Sequence, residues 1–422
     1  MSRDVKEKSI VASVKNFLTS IGMNRGVLAL SVARMADATG NSILFIIIPL
    51  YVAKLPGVYF HLPLPVMVGI LLSLYGLVNS ALQPVMGALS DKIGRRKPLI
   101  EIGLGFVAFG TLAFIYAERF LDLLILRILQ GVGVAITIPA SLALMAMITK
   151  KDTRGGSMGI YSTLRLIGFA CGPLIGGFLQ VHFGFNAAFV AGASLLALAI
   201  LMVQIWVKDV QVIDPNQSEQ RFRIIDISLL NPGILSAALA TFIMASSFSM
   251  VTTLENEFNL RLGINALQFS VAFTALMVGR LILQVPLGRL SDFIGRKPVV
   301  LVGMLLLAPA TALLGEVTSL TQLVVLRIFQ GITAAGIAAP AFAVAGDLAE
   351  RGGEGRQMSI ISMGFGLGLA LGPLLAGLLA VLFFELPFLT MGILCLIGTW
   401  IVFRYMPETV QTEKVLFKEL HY

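Results

Sequence analysis

The chain has 422 residues, 57% of them hydrophobic and 13% charged, with a mean hydropathy of +0.90 and a net charge of +8. A soluble domain carries about 25% charged residues, so the composition argues against a soluble enzyme, and apolar runs such as Phe189 to Val207 point to membrane spans. The basic residues fall in loops and the N-terminal segment rather than in a groove interleaved with aromatics, a pattern for membrane orientation and not for nucleic-acid binding.

Residues Met1 to Thr19 alternate charged and apolar positions and lack the long apolar core and cleavage site of a signal peptide. Val5, Ile10, Val14, Phe17 and Leu18 recur at helical spacing with Lys6, Lys8 and Lys15 between them. Two readings stand for this stretch, a short helix on the inner leaflet or a disordered tail. Apolar runs between charged or Pro/Gly/Asn punctuation then predict spans near 26–54, 66–89, 98–117, 121–149, 155–181 and 185–207. After a polar linker come 231–258, 265–289, 298–316, 321–349, 357–383 and 386–405. The expected organisation is an all-α membrane protein: an N-terminal segment 1–25, a six-helix bundle 26–207, a linker 208–229, a second six-helix bundle 230–406 and a tail 407–422.

Basic residues cluster in every second connection: Lys92, Arg95, Arg96 and Lys97; Lys150, Lys151 and Arg154; Lys208, Arg221 and Arg223; Arg296 and Lys297; Arg351 and Arg356. The intervening loops carry almost only Lys54, Arg119 and Arg261, which predicts both termini in the cytoplasm. Cys171 and Cys395 sit in apolar segments as packing residues, and His61, His182 and His421 are scattered, so no disulfide, metal or cofactor is expected. No metal spacing, nucleophile-and-base set or phosphate loop points to an enzyme.

The two halves repeat each other. Gly87-Ala88-Leu89-Ser90-Asp91-Lys92-Ile93-Gly94-Arg95-Arg96-Lys97-Pro98 returns as Gly288-Arg289-Leu290-Ser291-Asp292-Phe293-Ile294-Gly295-Arg296-Lys297-Pro298. Arg127-Ile128-Leu129-Gln130-Gly131 returns as Arg327-Ile328-Phe329-Gln330-Gly331, and Gly172-Pro173 as Gly372-Pro373. Chance likeness between apolar helices would not keep charged and Gly/Pro positions in register, so this is a duplication, and such repeats place a substrate site near mid-bilayer between the halves.

With its helix 5 pattern of Gly159, Gly168, Gly172-Pro173 and Gly176-Gly177, the chain resembles the major facilitator superfamily over nearly its whole length, and within it the twelve-helix drug:proton antiporters. The Gly87–Lys97 segment matches the family signature G-x-L-x-D-x-x-G-R-[RK], so the resemblance makes Gly87, Asp91, Gly94 and Arg95, with Gly288, Asp292, Gly295 and Arg296, a latch closing the cytoplasmic side. The alternative is a solvated basic loop. Gly168, Gly172, Pro173, Gly176 and Gly177 match the motif that the superfamily associates with exporters; physically, small residues one turn apart let two helix backbones touch. Its repeat has Ser359, Gly368, Gly372-Pro373, Ala376 and Gly377. Pro407-Glu408-Thr409 is similar to a stretch in sugar porters, whereas the stretch those carry after helix 6 is absent.

Asp37 lies about 11 residues, or about 16 Å, into the first span. A carboxyl that is neutral when buried and ionises in water is what proton exchange requires. The alternative is a structural ion pair with Arg34, which is spaced to share its helix face. In related antiporters the acid stands about nine residues before the span's proline, the place Gly40 holds here; Asp37 is one turn nearer the inner side. An intramembrane arginine costs about 2.5 to over 10 kcal/mol and seeks a cavity or a partner. Arg127, with Gln130 one turn on, matches an arginine that the family ties to proton coupling, or it snorkels to the outer surface. Arg165 and Arg280 are further intramembrane cations, favouring anionic or zwitterionic substrates. Glu255 either lines the outer mouth of the cavity or is solvated beyond the helix end.

These readings imply a monomeric secondary transporter in the cell membrane that exports small amphipathic molecules by alternating access in exchange for protons. A flippase or facilitator for a lipid-like or anionic solute is the alternative within transport, ahead of a membrane enzyme or a receptor.

Overall fold

The computed structural model describes residues 24–55, 62–149, 154–208, 231–348 and 354–410. The expected N-terminal interfacial helix, nearly all of the 208–229 linker and most of the tail lie outside them. Among the described residues there are helices and no strands: α1 (Arg25–Val52), α2 (Leu64–Ile93), α3 (Lys97–Ala113), α4 (Phe120–Ile148), α5 (Arg154–Phe183), α6 (Phe185–Trp206), α7 (Pro232–Thr253), α8 (Glu255–Leu262), α9 (Ala266–Ile294), α10 (Arg296–Ala312), α11 (Leu320–Asp347), α12 (Glu354–Ala380) and α13 (Leu386–Tyr405). All but α8 are long and apolar enough to cross a membrane, giving the twelve spans.

Local chemistry sets the helix ends. Asn24 accepts a hydrogen bond from the Val27 amide at 2.8 Å to start α1, and Asn265 and Gln268 bond each other's backbone N–H reciprocally to start α9. Gly94, at φ 68°, ends α2 in the left-handed conformation that a side chain resists. Here the structure corrects the sequence expectation: α2 runs on to Ile93, so Gly87 and Asp91 stand in its last two turns and the connection shrinks to Gly94, Arg95 and Arg96. The span expected at 231–258 also breaks early. The Thr252 hydroxyl bonds back to the Ser249 carbonyl at 2.6 Å, the backbone turns at Leu254, and Glu255 and Glu257 supply the acidic first turn that favours a new helix, α8.

Helices α1–α6 form one half and α7–α13 the other, with equivalent pairings: α1 on α5 as α7 on α12, and α2 on α4 as α9 on α11. The glycine motif explains the first pair. A Cβ on Gly172 would collide with the Ser42 hydroxyl and the Thr39 carbonyl of α1, and one on Gly372 with Ser249 and Ser246 of α7.

The halves meet along α2–α12 and α5–α9. Gly69 lies on the Pro373 carbonyl, Gly76 on Ala370, Gly366 on Ser80 and Gly177 on Ala266 and Ser270. The Thr274 hydroxyl donates to the Ala170 carbonyl at 2.7 Å, and the Asn256 amide to the Pro49 carbonyl at 2.8 Å. These contacts run from the face opposite the one where α1 begins and α13 ends down to mid-molecule, at Thr274 and Ala170 and at Gly366 and Ser80. Toward that terminal face, a Cβ on Gly87 or Gly288 would meet only Pro139 or Ala339 of its own half, and one on Gly159 would meet nothing within 4 Å. Among the described residues, the halves touch at the opposite face, and these three glycines toward the terminal face meet nothing of the other half.

Candidate functional site

In the first half, Asp37 is 2% exposed and forms an ion pair with Arg34, one turn earlier on α1. Its other carboxylate oxygen accepts from the Asn41 amide at 2.7 Å, and the Tyr75 hydroxyl of α2 approaches Asn41 Oδ1 at 3.4 Å. A small cavity bounded by Ile100, Thr137, Ser141 and Val203 reaches this pair from within the half. The i,i+3 spacing therefore brings Arg34 and Asp37 together.

Arg127 of α4 is 2% exposed, and its guanidinium lies inside the protein, away from the outer surface. It donates to Gln130 Oε1 at 3.1 Å, Gln130 donates onward to the Thr111 hydroxyl at 2.9 Å, and the guanidinium lies over the Tyr75 ring. The second half repeats this arrangement: Arg327, 1% exposed, donates to Gln330 at 2.8 Å, and Gln330 to Thr311 at 3.0 Å. Arg327 also reaches the Phe248 carbonyl at 3.3 Å. The duplicated Arg–Gln pairs were visible in the sequence; their threonine partners, 19 residues earlier on the preceding helix, carried no local signal.

Arg165 of α5 is partly buried, lies over the Phe169 ring at 5.7 Å and stands within electrostatic reach of Arg34 and Asp37 on α1 and of Arg280 on α9. Glu255 opens α8 at the closed face, beyond the end of the α7 span. It is 0% exposed, neither carboxylate oxygen has a hydrogen-bond partner among the described residues, and burial pushes its carboxyl well above the usual carboxylate range. At the other end of α8, Arg261 donates to Glu385 at 2.7 Å and holds that carboxyl below its ordinary range.

The repeated signature segments lie at the terminal face. In the first, Asp91 is in the last turn of α2, the Gly94 amide bonds the Ser90 carbonyl at 3.2 Å, and Lys97 reaches the Gln204 carbonyl at 2.8 Å. In the second, Arg296 pairs with Asp292, bonds the Ser291 hydroxyl at 2.9 Å and approaches Asp347 of α11 at 3.4 Å. Glu408, within the stretch 407–422 expected as a tail, accepts from the backbone N–H of Arg296 and Lys297 at 3.0 and 3.1 Å. A carboxylate is thereby placed at the N-terminus of α10, where the helix dipole favours it. Thr409 donates to the same Asp347 oxygen at 2.6 Å. Among the described residues no group of His, Cys, Asp and Glu could hold a metal.

The family model of the major facilitator superfamily matches residues 30–262 and 237–419. The chain is 28% identical over 293 residues to the multidrug resistance protein MdtG of Salmonella arizonae, covering 67% of this chain and 71% of that protein, and equally so over 291 residues to MdtG of Salmonella paratyphi B. Among solved structures, a bacterial homologue of the human lysosomal transporter Spinster, inward-facing and occupied, superposes with a TM-score of 0.77 at 16% identity, covering 91% of this chain and 97% of that one. The human organic anion transporter TETRAN gives 0.65 at 18%, covering 90% and 99%. With twelve spans, two equivalent halves and both signature segments in place, the chain is a transporter of the major facilitator superfamily.

Proposed function

We propose that the protein exports small amphipathic molecules by alternating access in exchange for protons, with its terminal face in the cytoplasm. The observation that carries this reading is the buried Asp37–Arg34 pair set beside a seam that is closed at one face and open at the other. In the inward-open state Asp37 is balanced by Arg34 and Asn41. When the seam opens on the other side, a proton taken up by Asp37 frees Arg34, and release to the cytoplasm restores the pair. Rocking of 26–207 against 230–406 about the linker supplies the motion. The Asp292–Arg296–Asp347–Glu408 set and its counterpart around Asp91 and Arg95 act as the latch of the terminal face.

Export is supported by the helix 5 motif, by the relatives named for multidrug resistance and by the basic loops of the terminal face. Cells producing the protein should accumulate less of an amphipathic dye than control cells, and Gly172→Val, which drives a side chain into Ser42 and Thr39, should abolish the difference. Net inward movement of every transported compound down its own gradient would defeat the exporter reading.

A further inference from the structure

Arg165 and Arg280 stand apart from the other buried arginines. Arg34 has Asp37, while Arg127 and Arg327 have Gln130 and Gln330. Arg280 is 8% exposed, its Nε is buried without a partner among the described residues, and it lies over the Phe365 ring of α12 at 5.8 Å. Arg165 has the Phe169 ring and no described hydrogen bond or ion pair. The acid acting on Arg165 is Asp37, which Arg34 and Asn41 already occupy.

Their place in the fold is specific. Helices α5 and α9 come from opposite halves, and the Thr274–Ala170 hydrogen bond joins them at mid-molecule. Arg165 lies five residues from Ala170, and Arg280 six from Thr274, both toward the open face. At 1.5 Å per residue this sets each arginine about 8 to 9 Å below that bond, at the inner end of the cleft. Phe45 lies 6.2 Å from both Phe169 and Phe273, so aromatic rings from both halves roof the same place. Gln284, one turn beyond Arg280 on the same face of α9, has a buried Oε1 without a partner among the described residues.

We propose that Arg165 and Arg280, one from each half, jointly bind the carboxylate, sulfonate or phosphate group of an amphipathic organic anion whose apolar body rests on the half-buried Phe45 and Phe169, with Phe273 buried behind them. The guanidinium fork matches such planar or tetrahedral oxyanions. Two like charges facing each other across the cleft oppose its closure, and an anion between them turns that repulsion into attraction. The bound substrate thus draws the halves together at the terminal face and sends the transporter toward release on the other side. This inference rests on the export reading and names its substrate class.

The test is equilibrium binding to the purified full chain in nanodiscs, read by probe anisotropy, with pyrenesulfonate, its cationic counterpart pyrenemethylammonium, and lysophosphatidylglycerol and benzoate as competitors. Pyrenesulfonate should bind the native protein more tightly than the cation, and R165Q and R280Q should each weaken it by about 10- to 100-fold, the loss of one charge-assisted contact. R165K and R280K should recover part of that loss. Thermal unfolding separates a binding role from a structural one: removing an unpaired buried charge should leave Tm unchanged or raised, whereas a lowered Tm in both glutamine variants would mark the arginines as structural and overturn the site. Preference for the cation, or native affinity for pyrenesulfonate in both variants, would also overturn it. Displacement by lysophosphatidylglycerol that disappears in the same variants supports the site in a lipid-headgroup form; displacement by benzoate alone supports it in a free-anion form. Anion binding without proton-driven transport would defeat the export reading and leave this site standing, and proton-driven export of cations alone would do the reverse.

Discussion

Thr274 of one half donates its hydroxyl to the Ala170 carbonyl of the other at 2.7 Å, the deeper of the two hydrogen bonds described between the halves. Gly177 reaches Ala266 and Ser270 of the same helix nearer the closed face, so α5 and α9 lie against each other from there down to Thr274. Thr274→Val keeps the shape and removes the bond. One hydrogen bond contributes about 1 kcal/mol, so the population open at the opposite face should rise about fivefold. Spin-label distances across that face would show it, and an unchanged distance distribution would mean that Thr274 does not hold the seam.

The burial of Glu255 predicts a pH-dependent closure of the face opposite the termini. Burial favours its neutral form, so the closed state binds a proton more tightly than a state in which Glu255 meets water. The sign follows: acidity at that face stabilises closure, and raising the pH through the elevated titration point favours opening. Labelling of a cysteine placed behind the seam should increase with pH, with a midpoint above the roughly 4.3 of a free glutamate. Glu255→Gln should flatten the curve and bias the protein closed. An unchanged curve in that variant would assign the sensitivity to another group.

Glu408 ties the end of the last span to the second signature segment through two backbone N–H groups. Glu408→Gln keeps an acceptor and removes the charge from the helix N-terminus, which contributes about 0.3 to 1 kcal/mol. A small drop in Tm is expected, with Glu408→Ala falling further because the Arg296 and Lys297 amides lose their partner. Equal Tm in all three proteins would show the cap to be without energetic weight.

The spans, the duplication and the Arg34–Asp37 contact were legible because each is written in local spacing: long apolar runs, a repeated charged segment, and two residues three apart on one helix. The end of α2 is not marked by Asp91 and Lys92, whose charge alone suggests a loop; the stop signal is Gly94. The break at Leu254 left only the weak mark of an acidic turn following two threonines. Glu408 on α10 and Arg165 opposite Arg280 join residues more than 100 positions apart, and such pairings come from the packing of whole helices, which no short pattern records.

The most direct measurement is uphill transport in proteoliposomes under an imposed pH gradient, comparing the native protein with Asp37→Asn. The native protein should move an amphipathic substrate against its gradient and opposite to the protons. The variant, whose amide stands in permanently for the protonated acid, should keep substrate exchange and lose the uphill component. Native transport indifferent to the pH gradient would contradict proton exchange altogether. Full proton-driven transport by Asp37→Asn would take the coupling role from Asp37, and a variant inactive in every mode with a lowered Tm would make Asp37 the structural partner of Arg34.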